Sequence, residues 1–456
     1  MDSCKAKTHN FFACLTLFFV IFVTLSQSHA KETQLEDSLQ VNQFLNKIQK
    51  WRSDRDFKSE VRTSTVIAGV LCFIASSISS AGGIGGGGLF ISILTIVAGL
   101  ELKTATSFSA FMVTGGSIAN VMYNMLTISS KFGGKNLTDY DIALLSEPCM
   151  LLGVSIGVIW NQVCPEWLVT LLFAVFLAWS TYKTFRNGLV HWKSESESVN
   201  RCGGLKDESY DEICKEPLLN KEKINNIKVK FPWMKLGVLI MIWLSFFFLY
   251  LLRGNRYRQG IIKVKPCGVG YWIISSLQIP VSMAFTGWIL CRKDWSQNKV
   301  PDHQDIEDLT SSGPSNKLMF PLMALIAGIL GGLFGIGGGM LISPLLLHVG
   351  IAPEVTAATC SFMVFFSSTM SAFQYLLLGM QHVGSALIFA IICFVGSVLG
   401  LLVVQRFIQK SGRASLIIFS VSIVMALSAI LMTSFGAFDV WRDYTSRKYM
   451  GFKLPC

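Results

Sequence analysis

The sequence predicts an all-α polytopic membrane protein that is built from two inverted repeats. Of its 456 residues, 52% are hydrophobic and 15% are charged, and the mean hydropathy is +0.51. Apolar runs long enough to span a membrane recur along the chain. A glycine tract at residues 81–88 returns roughly 250 positions later at residues 331–339, which indicates two related halves.

The N-terminus is typical of a secretory signal peptide, residues 1–30. Two lysines precede an apolar run at residues 11–25, and Ser28-His29-Ala30 fits the small-x-small rule for signal-peptidase cleavage. The run is short for a membrane span, and an uncleaved anchor is the alternative. After cleavage, residues 31–63 would form an exoplasmic lead-in. The protein is then expected in the plasma membrane or an endomembrane.

Each glycine tract interrupts an uncharged run that exceeds one membrane span of about 20 residues. These runs cover residues 64–100 and 318–351. Glycine lets the backbone leave helical geometry, and in a bilayer such backbone persists only where protein or a watery cavity satisfies its amides and carbonyls. Each run is therefore a broken helix pair or a re-entrant hairpin, and a pair of such breaks is typical of a transport site.

Three predicted spans follow the broken run in each half. The first repeat, residues 64–187, has them at 104–130, 142–165 and 167–182; the second repeat, residues 318–438, has them at 355–380, 383–405 and 414–438. The halves are separated by a polar loop at 188–231, two connecting spans within 232–291 and a polar loop at 292–317, and a tail follows at 439–456.

Local matches support the duplication. Residues 104–109 match residues 356–361 at an offset of 252, and the same offset carries Tyr123 onto Tyr375. The small-xxx-small pair Gly153/Gly157 has a counterpart in Gly396/Gly400, a spacing that favours close helix packing.

An odd number of crossings in each half gives the two halves opposite orientations. With an exoplasmic lead-in, both polar loops lie in the cytosol and the tail lies outside. The basic residues within 253–265 would then be exoplasmic, against the positive-inside tendency.

The chain resembles the sulfite exporter TauE/SafE family, also described as the 4-toluenesulfonate uptake permease family. The resemblance runs from Val61 to Phe438 and is carried by Gly-x-Gly-Gly-Gly in both halves, the Thr-Ala-x-Ser/Thr-x-Ser segments and Glu147-Pro148. The signal peptide and long central loop resemble the family's plant branch. The resemblance implies transport of a small sulfur-containing anion such as sulfite. Ser92 departs from the family pattern, in which a proline is expected, as Pro344 follows the second tract.

The glycine tracts are the candidate substrate site. Because basic side chains lie only near span ends, the backbone must hold an anion. Successive glycine amides can form an anion nest, and a half-helix that starts there adds about half a positive charge. The alternative is that these glycines only permit tight helix crossing. The candidate substrate-binding glycines are Gly85, Gly86, Gly87, Gly88, Gly337, Gly338 and Gly339.

Neutral donors from the spans are expected to complete the site, although each is alternatively a helix contact. These candidates are Asn120, Tyr123, Asn124, Gln374 and Tyr375. Glu147 is the only acidic residue well inside an uninterrupted span, and intramembrane acids are costly and usually functional, so it is the candidate for proton coupling. The alternative is that Glu147 reaches headgroup water at the boundary.

The predicted function is secondary transport of small anions, sulfite or a related sulfur oxyanion by the resemblance, with protons as the coupling ion. The alternative is a membrane scaffold or receptor that acts through the polar loop at 188–231. An enzyme, a cofactor and a metal site are not expected, because no nucleophile–base constellation or metal-ligand cluster appears. ATP-driven transport is disfavoured because the chain has no Walker A motif.

Two further classes are excluded by context. The G-x-G-x-x-G pattern at 83–88 lacks the preceding strand and amphipathic helix of a dinucleotide site. The net charge of +11 comes from basic residues in short connections rather than from a Lys/Arg stripe with interleaved aromatics, so no nucleic-acid partner is expected. Membrane lipid is the expected surrounding, and the oligomeric state is not legible from the sequence.

Overall fold

The computed structural model describes residues 63–83, 85–126, 137–203, 233–253, 269–291, 313–349, 351–380, 382–411, 415–445 and 451. In these parts of the chain the structure has twelve α-helices and no strand, which confirms the predicted all-α class. The predicted signal peptide and nearly all of the lead-in lie outside the described residues, as does most of each polar loop.

The helices repeat in length as well as in sequence. The first repeat contains α1 (Thr63–Ser79), a short 3-10 turn (Ser80–Gly82), α2 (Gly87–Ile96), α3 (Leu102–Leu126), α4 (Tyr140–Val163) and α5 (Glu166–Gly203). The connecting helices are α6 (Trp233–Arg253) and α7 (Val269–Cys291). The second repeat contains α8 (Gly313–Phe334), α9 (Gly339–His348), α10 (Pro353–Leu377), α11 (Val383–Ser411) and α12 (Ser415–Thr445). Both α2 and α9 have 10 residues, and both α3 and α10 have 25.

Within the described residues, seven helices are long and apolar enough to cross a membrane: α4 to α7 and α10 to α12. The more polar α3 is not among these seven, although its 25 residues equal the length of α10. At about 1.5 Å per residue, the short α2 and α9 reach only about halfway through a hydrocarbon core of about 30 Å. The chain is therefore a multi-pass membrane protein in which α2 and α9 are each too short to cross the bilayer alone.

The chain turns back on itself at each glycine tract. The end of α1 rises alongside α3, and α2 then returns toward the residue at which α3 begins. The contacts that fix this path are Ser76–Gly116, Ser80–Asn120 and Gly87–Ser109. In the second repeat, α10 contacts the end of α8 through Tyr375 and the glycine tract through Ser367, which lies earlier on α10. Each broken run is therefore a hairpin, as both open alternatives require.

Each half packs its hairpin against the fourth helix of the other half. A Cβ added to any of four glycines on α4 or α11 would lie within 2.8 Å of a carbonyl oxygen on the hairpin helix. The contacts are Gly153–Leu325 and Gly157–Ile329 between α4 and α8, and Gly396–Phe73 and Gly400–Ser77 between α11 and α1. The predicted packing role of the small-xxx-small pairs is confirmed. Reciprocal contacts of this kind are what a two-fold relation between the repeats produces.

Equivalent helices of the two repeats run in opposite directions where they touch. Ser117 on α3 lies 3.5 Å from Ser368 on α10, and Asn120 lies 3.4 Å from Ser361. Residue numbers therefore rise along α3 as they fall along α10, which is the direction expected of inverted repeats. Their inversion across the membrane stays a prediction.

The inverted topology predicts where N-glycans can be attached. A sequon inserted within residues 204–231 is expected to stay unmodified in a eukaryotic host, because the inverted topology would place that loop in the cytosol. The same sequon in the tail, residues 446–456, is expected to give a glycosidase-sensitive mass shift. The native sequon at Asn136, which lies outside the described residues, is expected to stay unmodified. A modified 204–231 loop would contradict the inversion.

Helix α5 extends further than the sequence indicated, through Gly203 and into the segment predicted as a polar loop. Glu195 on this extension accepts hydrogen bonds from the Ser415 backbone N–H, at 3.0 Å, and from the Ser415 hydroxyl. Trp192 also makes an edge contact with Phe419. These contacts cap and pack the start of α12, so the extension gains tertiary stabilisation that its polar composition does not reveal.

Candidate functional site

The backbone of both glycine tracts adopts the same left-handed conformation at three positions. In the first glycine loop, φ is +68° at Gly83, +75° at Gly85 and +71° at Gly86. In the second glycine loop, φ is +65° at Gly335, +74° at Gly337 and +71° at Gly338. A residue with a Cβ pays about 1–2 kcal/mol at each such position, so the backbone itself requires glycine there.

The two loops contact each other. The Ser109 hydroxyl lies 3.2 Å from the Gly87 carbonyl and 3.0 Å from the Gly335 carbonyl, so one side chain bridges both hairpins. A Cβ on Gly87 would lie 2.8 Å from the Ile336 Cα, a backbone approach that only glycine permits. The structure therefore brings the candidate glycines of both halves into one place.

Each loop also contacts the third helix of the other repeat. A Cβ on Gly83 would lie 2.0 Å from the Ala357 carbonyl oxygen on α10. A Cβ on Gly335 would lie 2.1 Å from the Thr106 carbonyl oxygen on α3. The glycines thus serve close packing as well as the turn, and their role in anion binding stays a prediction.

Two helix N-termini begin at these loops. Gly86 and Gly338 are the N-cap residues of α2 and α9, and neither has a side chain that caps the helix. The first amides of an α-helix have no acceptor within the helix and carry the positive end of its dipole. The loops therefore place two partial positive charges close together without a Lys or Arg side chain on their described residues.

Of the predicted donors, Asn120 and Tyr375 reach the hairpins. Asn120 donates to the Ser80 carbonyl at 3.3 Å, and Tyr375 donates to the Gly332 carbonyl at 2.7 Å. Ser80 and Gly332 are equivalent at the 252 offset. The structure therefore pairs Asn120 with Tyr375 in role, whereas the sequence paired Tyr123 with Tyr375.

The other three predicted donors lie elsewhere. Gln374 is fully buried and donates to the Ser155 hydroxyl on α4 at 2.9 Å. Tyr123 and Asn124 are half-buried near the end of α3, beyond Asn120. A helix turns by about 100° per residue, so Gln374 and its neighbour Tyr375 face different helices.

Sequence reasoning missed three side chains that hold the loops. They are Ser109, Ser367, which donates to the Gly337 carbonyl at 2.7 Å, and Asn161, which donates to the Leu333 carbonyl at 2.7 Å. Ser109 ends the segment that matches between the halves, so the repeat contained its signal. Ser367 and Asn161 have no such local signal.

Glu147 is buried beside the second glycine loop. Its side chain is 0% exposed, and neither carboxyl oxygen has a hydrogen-bond partner among the described residues. Met150, one turn further along α4, approaches Gly338, where a Cβ would lie 2.9 Å from the Met150 methyl. This position does not fit a residue that reaches headgroup water.

Glu147 has no acidic counterpart in the second repeat. The offset of 243 that relates Gly153 to Gly396 places Ala390 at the equivalent of Glu147. Ala390 packs against α3, because a Cβ on Gly115 would lie 2.2 Å from the Ala390 carbonyl oxygen. The site is therefore symmetric in its glycine backbone and asymmetric in its one carboxyl group.

Next to the first loop lies a cavity of about 10 Å³, lined by residues that include Gly82, Ser343 and Thr356. Such a volume holds about one water molecule. With the loops themselves in contact, this arrangement is a closed one.

Comparisons with known proteins agree with the resemblance in sequence. The profile of the family described as Sulfite exporter TauE/SafE matches residues 6–184 and 228–432. The Arabidopsis thaliana protein named Sulfite exporter TauE/SafE family protein 2 is 60% identical over 465 aligned residues, which cover 98% of this chain and 100% of the relative. Family protein 5 of the same plant is 56% identical, over 97% of this chain and 100% of the relative. No solved structure matches the chain.

The matched residues include both glycine tracts and Glu147. The family is one of membrane transporters rather than enzymes, in agreement with the seven candidate spans in the described residues. This chain belongs to the sulfite exporter TauE/SafE family.

Proposed function

We propose that this protein is a secondary transporter of sulfite or a related sulfur oxyanion, and that the anion binds between the two glycine loops. The observation that carries the proposal is the meeting of two helix N-termini, at Gly86 and Gly338, that no side chain caps. Backbone amides at a helix start bind anions without further help from a basic side chain. The names of the relatives supply the sulfur chemistry.

A site made of backbone amides suits transport. An oxyanion accepts several N–H groups at once, and two dipole ends each contribute about half a positive charge. A buried Lys or Arg would attract the anion more strongly and would need its own compensation in the membrane. Binding by amides alone is strong enough to replace part of the hydration shell and weak enough to allow release on the other side.

Transport requires the loops to separate. In the closed arrangement, Ser109 bridges the hairpins and the Gly87 backbone contacts Ile336. Because each hairpin is held by α4 or α11 of the other repeat, a tilt of one half against the other moves the two hairpins in opposite senses. This motion exposes the loops to one side of the membrane at a time, as alternating access demands.

Glu147 supplies the coupling site. Among the described residues it is the one fully buried carboxyl group, and it lies one turn before Met150, whose methyl group approaches Gly338. A carboxyl that binds a proton while the neighbouring site holds an anion keeps the net charge low in the bilayer. The chain reaches a plasma membrane or endomembrane by its signal peptide, residues 1–30.

Flux in proteoliposomes tests the proposal. Purified full-length protein is reconstituted, and uptake of sulfite, sulfate and an organosulfonate is measured with and without a pH gradient, against protein-free vesicles. Sulfite or a sulfonate is expected to move faster than in protein-free vesicles, and the gradient is expected to increase the rate. Absence of flux for all three anions from folded protein would overturn the proposal. Deletion of residues 204–231 is expected to leave flux intact, since transport does not depend on that loop.

A further inference from the structure

A seam between α4 and α10 contains buried polar groups that the anion site does not use. Four of its atoms have no hydrogen-bond partner among the described residues: both carboxyl oxygens of Glu147, the Ser371 hydroxyl oxygen and the Gln374 side-chain oxygen. All three side chains are 0% exposed. Buried polar groups of native proteins nearly always have a partner, and where protein does not supply one, an internal water does.

The contacts between α4 and α10 place these three residues together. Tyr140 and Ser155 on α4 both touch α10, by a ring contact of 5.2 Å with Phe362 and a hydrogen bond of 2.9 Å from Gln374. Glu147 lies seven residues after Tyr140 and eight before Ser155, so it shares their face of the helix. It therefore faces α10 at a level between Phe362 and Gln374.

On α10, that level is occupied by hydroxyl side chains. Ser367, Ser371 and Gln374 follow one another at spacings of four and three residues, which places them on neighbouring turns of one face. Ser367 is engaged by the Gly337 carbonyl at 2.7 Å. Ser371 therefore lies between Glu147 and Gln374 along the seam, close to the second glycine loop.

The chemistry of the groups is complementary. Ser371 offers a donor and an acceptor, and Gln374 offers a free acceptor while its amide N–H group is fixed on Ser155. A water molecule that accepts from Ser371 and donates to Gln374 satisfies both. The same water has one donor and one acceptor site left, so it can donate to the ionised Glu147 carboxylate or accept from the protonated carboxyl group.

We propose that water held in this seam connects the Glu147 carboxyl to Ser371 and Gln374, and that the proton that Glu147 binds or releases passes through this water and the Ser371 hydroxyl. As the carboxyl O–H bond breaks, a water O–H bond forms, and that water gives up one of its own protons to the next water or to the Ser371 hydroxyl, which releases its own proton in turn. Gln374 accepts a hydrogen bond that orients the water and carries no proton. The proposal rests on the proposed coupling role of Glu147. It adds a route that is separate from the path of the anion through the glycine loops.

Other titratable groups on the helices around α4 do not replace this route. On α10 they are Glu354 in the first turn, Cys360, and Tyr375, whose hydroxyl donates to the Gly332 carbonyl. On α8 the one such residue is Lys317, near the start of the helix. On α6 they are Lys235, which pairs with Asp141 at 2.6 Å, Tyr250, which donates to the Gln374 backbone carbonyl, and Arg253 at the end of the helix. On α7 they are Tyr271 and Cys291, near its two ends.

Infrared spectroscopy of the reconstituted full-length protein tests the seam. The carboxylic acid C=O band of Glu147 is identified by its loss in Glu147→Gln. After transfer to D₂O, the shift of this band reports the rate at which the carboxyl proton exchanges for deuterium. Ser371→Val and Ser371→Thr have the same shape and differ in the hydroxyl group. We expect exchange to slow about a hundredfold in Ser371→Val, at the lower end of what a positioned proton-transfer group contributes, and to stay near wild type in Ser371→Thr.

Controls keep the outcome decisive. Gln374→Met removes the amide oxygen at similar length and is expected to slow exchange as Ser371→Val does. Thr369→Val, on the same helix, removes a hydroxyl that bonds to its own helix at 2.7 Å, and is expected to change nothing. Equal exchange rates in Ser371→Val and Ser371→Thr, with wild-type exchange in Gln374→Met, would overturn the proposal. So would a wild-type protein in which no pH produces the Glu147 band.

The test separates the seam from the transport proposal. If sulfur anions fail to move but the Glu147 band exchanges through Ser371, the seam stands and the proposed function fails. If flux is coupled to protons but exchange ignores Ser371 and Gln374, the function stands and the seam fails.

Discussion

Gly86→Ala and Gly338→Ala are each expected to abolish anion flux. Both residues are N-caps with φ of +71°, and a Cβ there would lie 2.4 Å from the Ser79 hydroxyl oxygen or 2.8 Å from the Ala327 carbonyl oxygen. Left-handed strain costs about 1–2 kcal/mol, and the overpacking adds about 1–3 kcal/mol. Relief of this strain turns the first amides of α2 or α9 away from the site. Flux of radiolabelled sulfite per folded molecule is the measurement.

Gly99→Ala is the matched control for those two variants. Gly99 has φ of +68°, and no atom lies within 4 Å of the position its Cβ would occupy. This variant therefore introduces left-handed backbone strain without a steric clash, at a position away from the loops. We expect wild-type flux and a fall in thermal stability of about 1–2 kcal/mol. Normal flux in Gly86→Ala and Gly338→Ala at normal membrane levels would contradict the assignment of the loops.

Glu147→Gln is expected to remove the dependence of anion flux on the pH gradient. Glutamine keeps the shape of the side chain and its capacity for hydrogen bonds, but it cannot bind or release a proton. Anion movement down its own concentration gradient is expected to continue, while accumulation driven by an imposed pH gradient is expected to be lost. Initial rates at a series of gradients in matched proteoliposomes measure the effect.

Asp141→Asn provides the comparison within the same helix. Asp141 is half exposed and pairs with Lys235 near the start of α4, so its loss removes a carboxyl without touching the buried site. Coupling in this variant is expected to equal that of the wild type. If Glu147→Gln retained the wild-type response to the pH gradient, Glu147 would be a buried structural residue and the coupling ion would bind elsewhere.

The glycine tracts allowed the sequence to predict the architecture. Their overlong apolar runs indicated broken helices. The offset of 252 found elsewhere in the repeat also relates Gly83, Gly85 and Gly86 to Gly335, Gly337 and Gly338, which share a left-handed conformation. The conformation of a glycine turn depends on a few adjacent residues, so it can be predicted from the residue types in the tract. In the described residues the helices begin near the predicted span starts, whereas α5, α11 and α12 end later than predicted, at Gly203, Ser411 and Thr445.

The contacts between the halves were not predictable in the same way. The contacts of Gly83 with Ala357 and of Ser367 with Gly337 depend on how helices distant in sequence cross. No short sequence pattern predicts such a crossing. Thus the hydrogen bond that Tyr375 donates to the second hairpin has its counterpart in Asn120, rather than in Tyr123, its equivalent by sequence offset. Burial of Glu147 depends on α8 and α10, which a single span does not reveal.

Because each hairpin packs against a helix of the other half, the order of synthesis limits when the first half can finish folding. Ser76 on α1 finds its partner Ser397 on α11 only after 321 further residues have been made. At synthesis rates of about 5–20 residues per second, that interval lasts roughly 15–60 s. During it the first hairpin lies in the bilayer with a small-residue face and exposed loop carbonyls. Assembly of the first half is therefore among the last events of biogenesis, and a ribosome-stalled or truncated chain leaves it open to quality control.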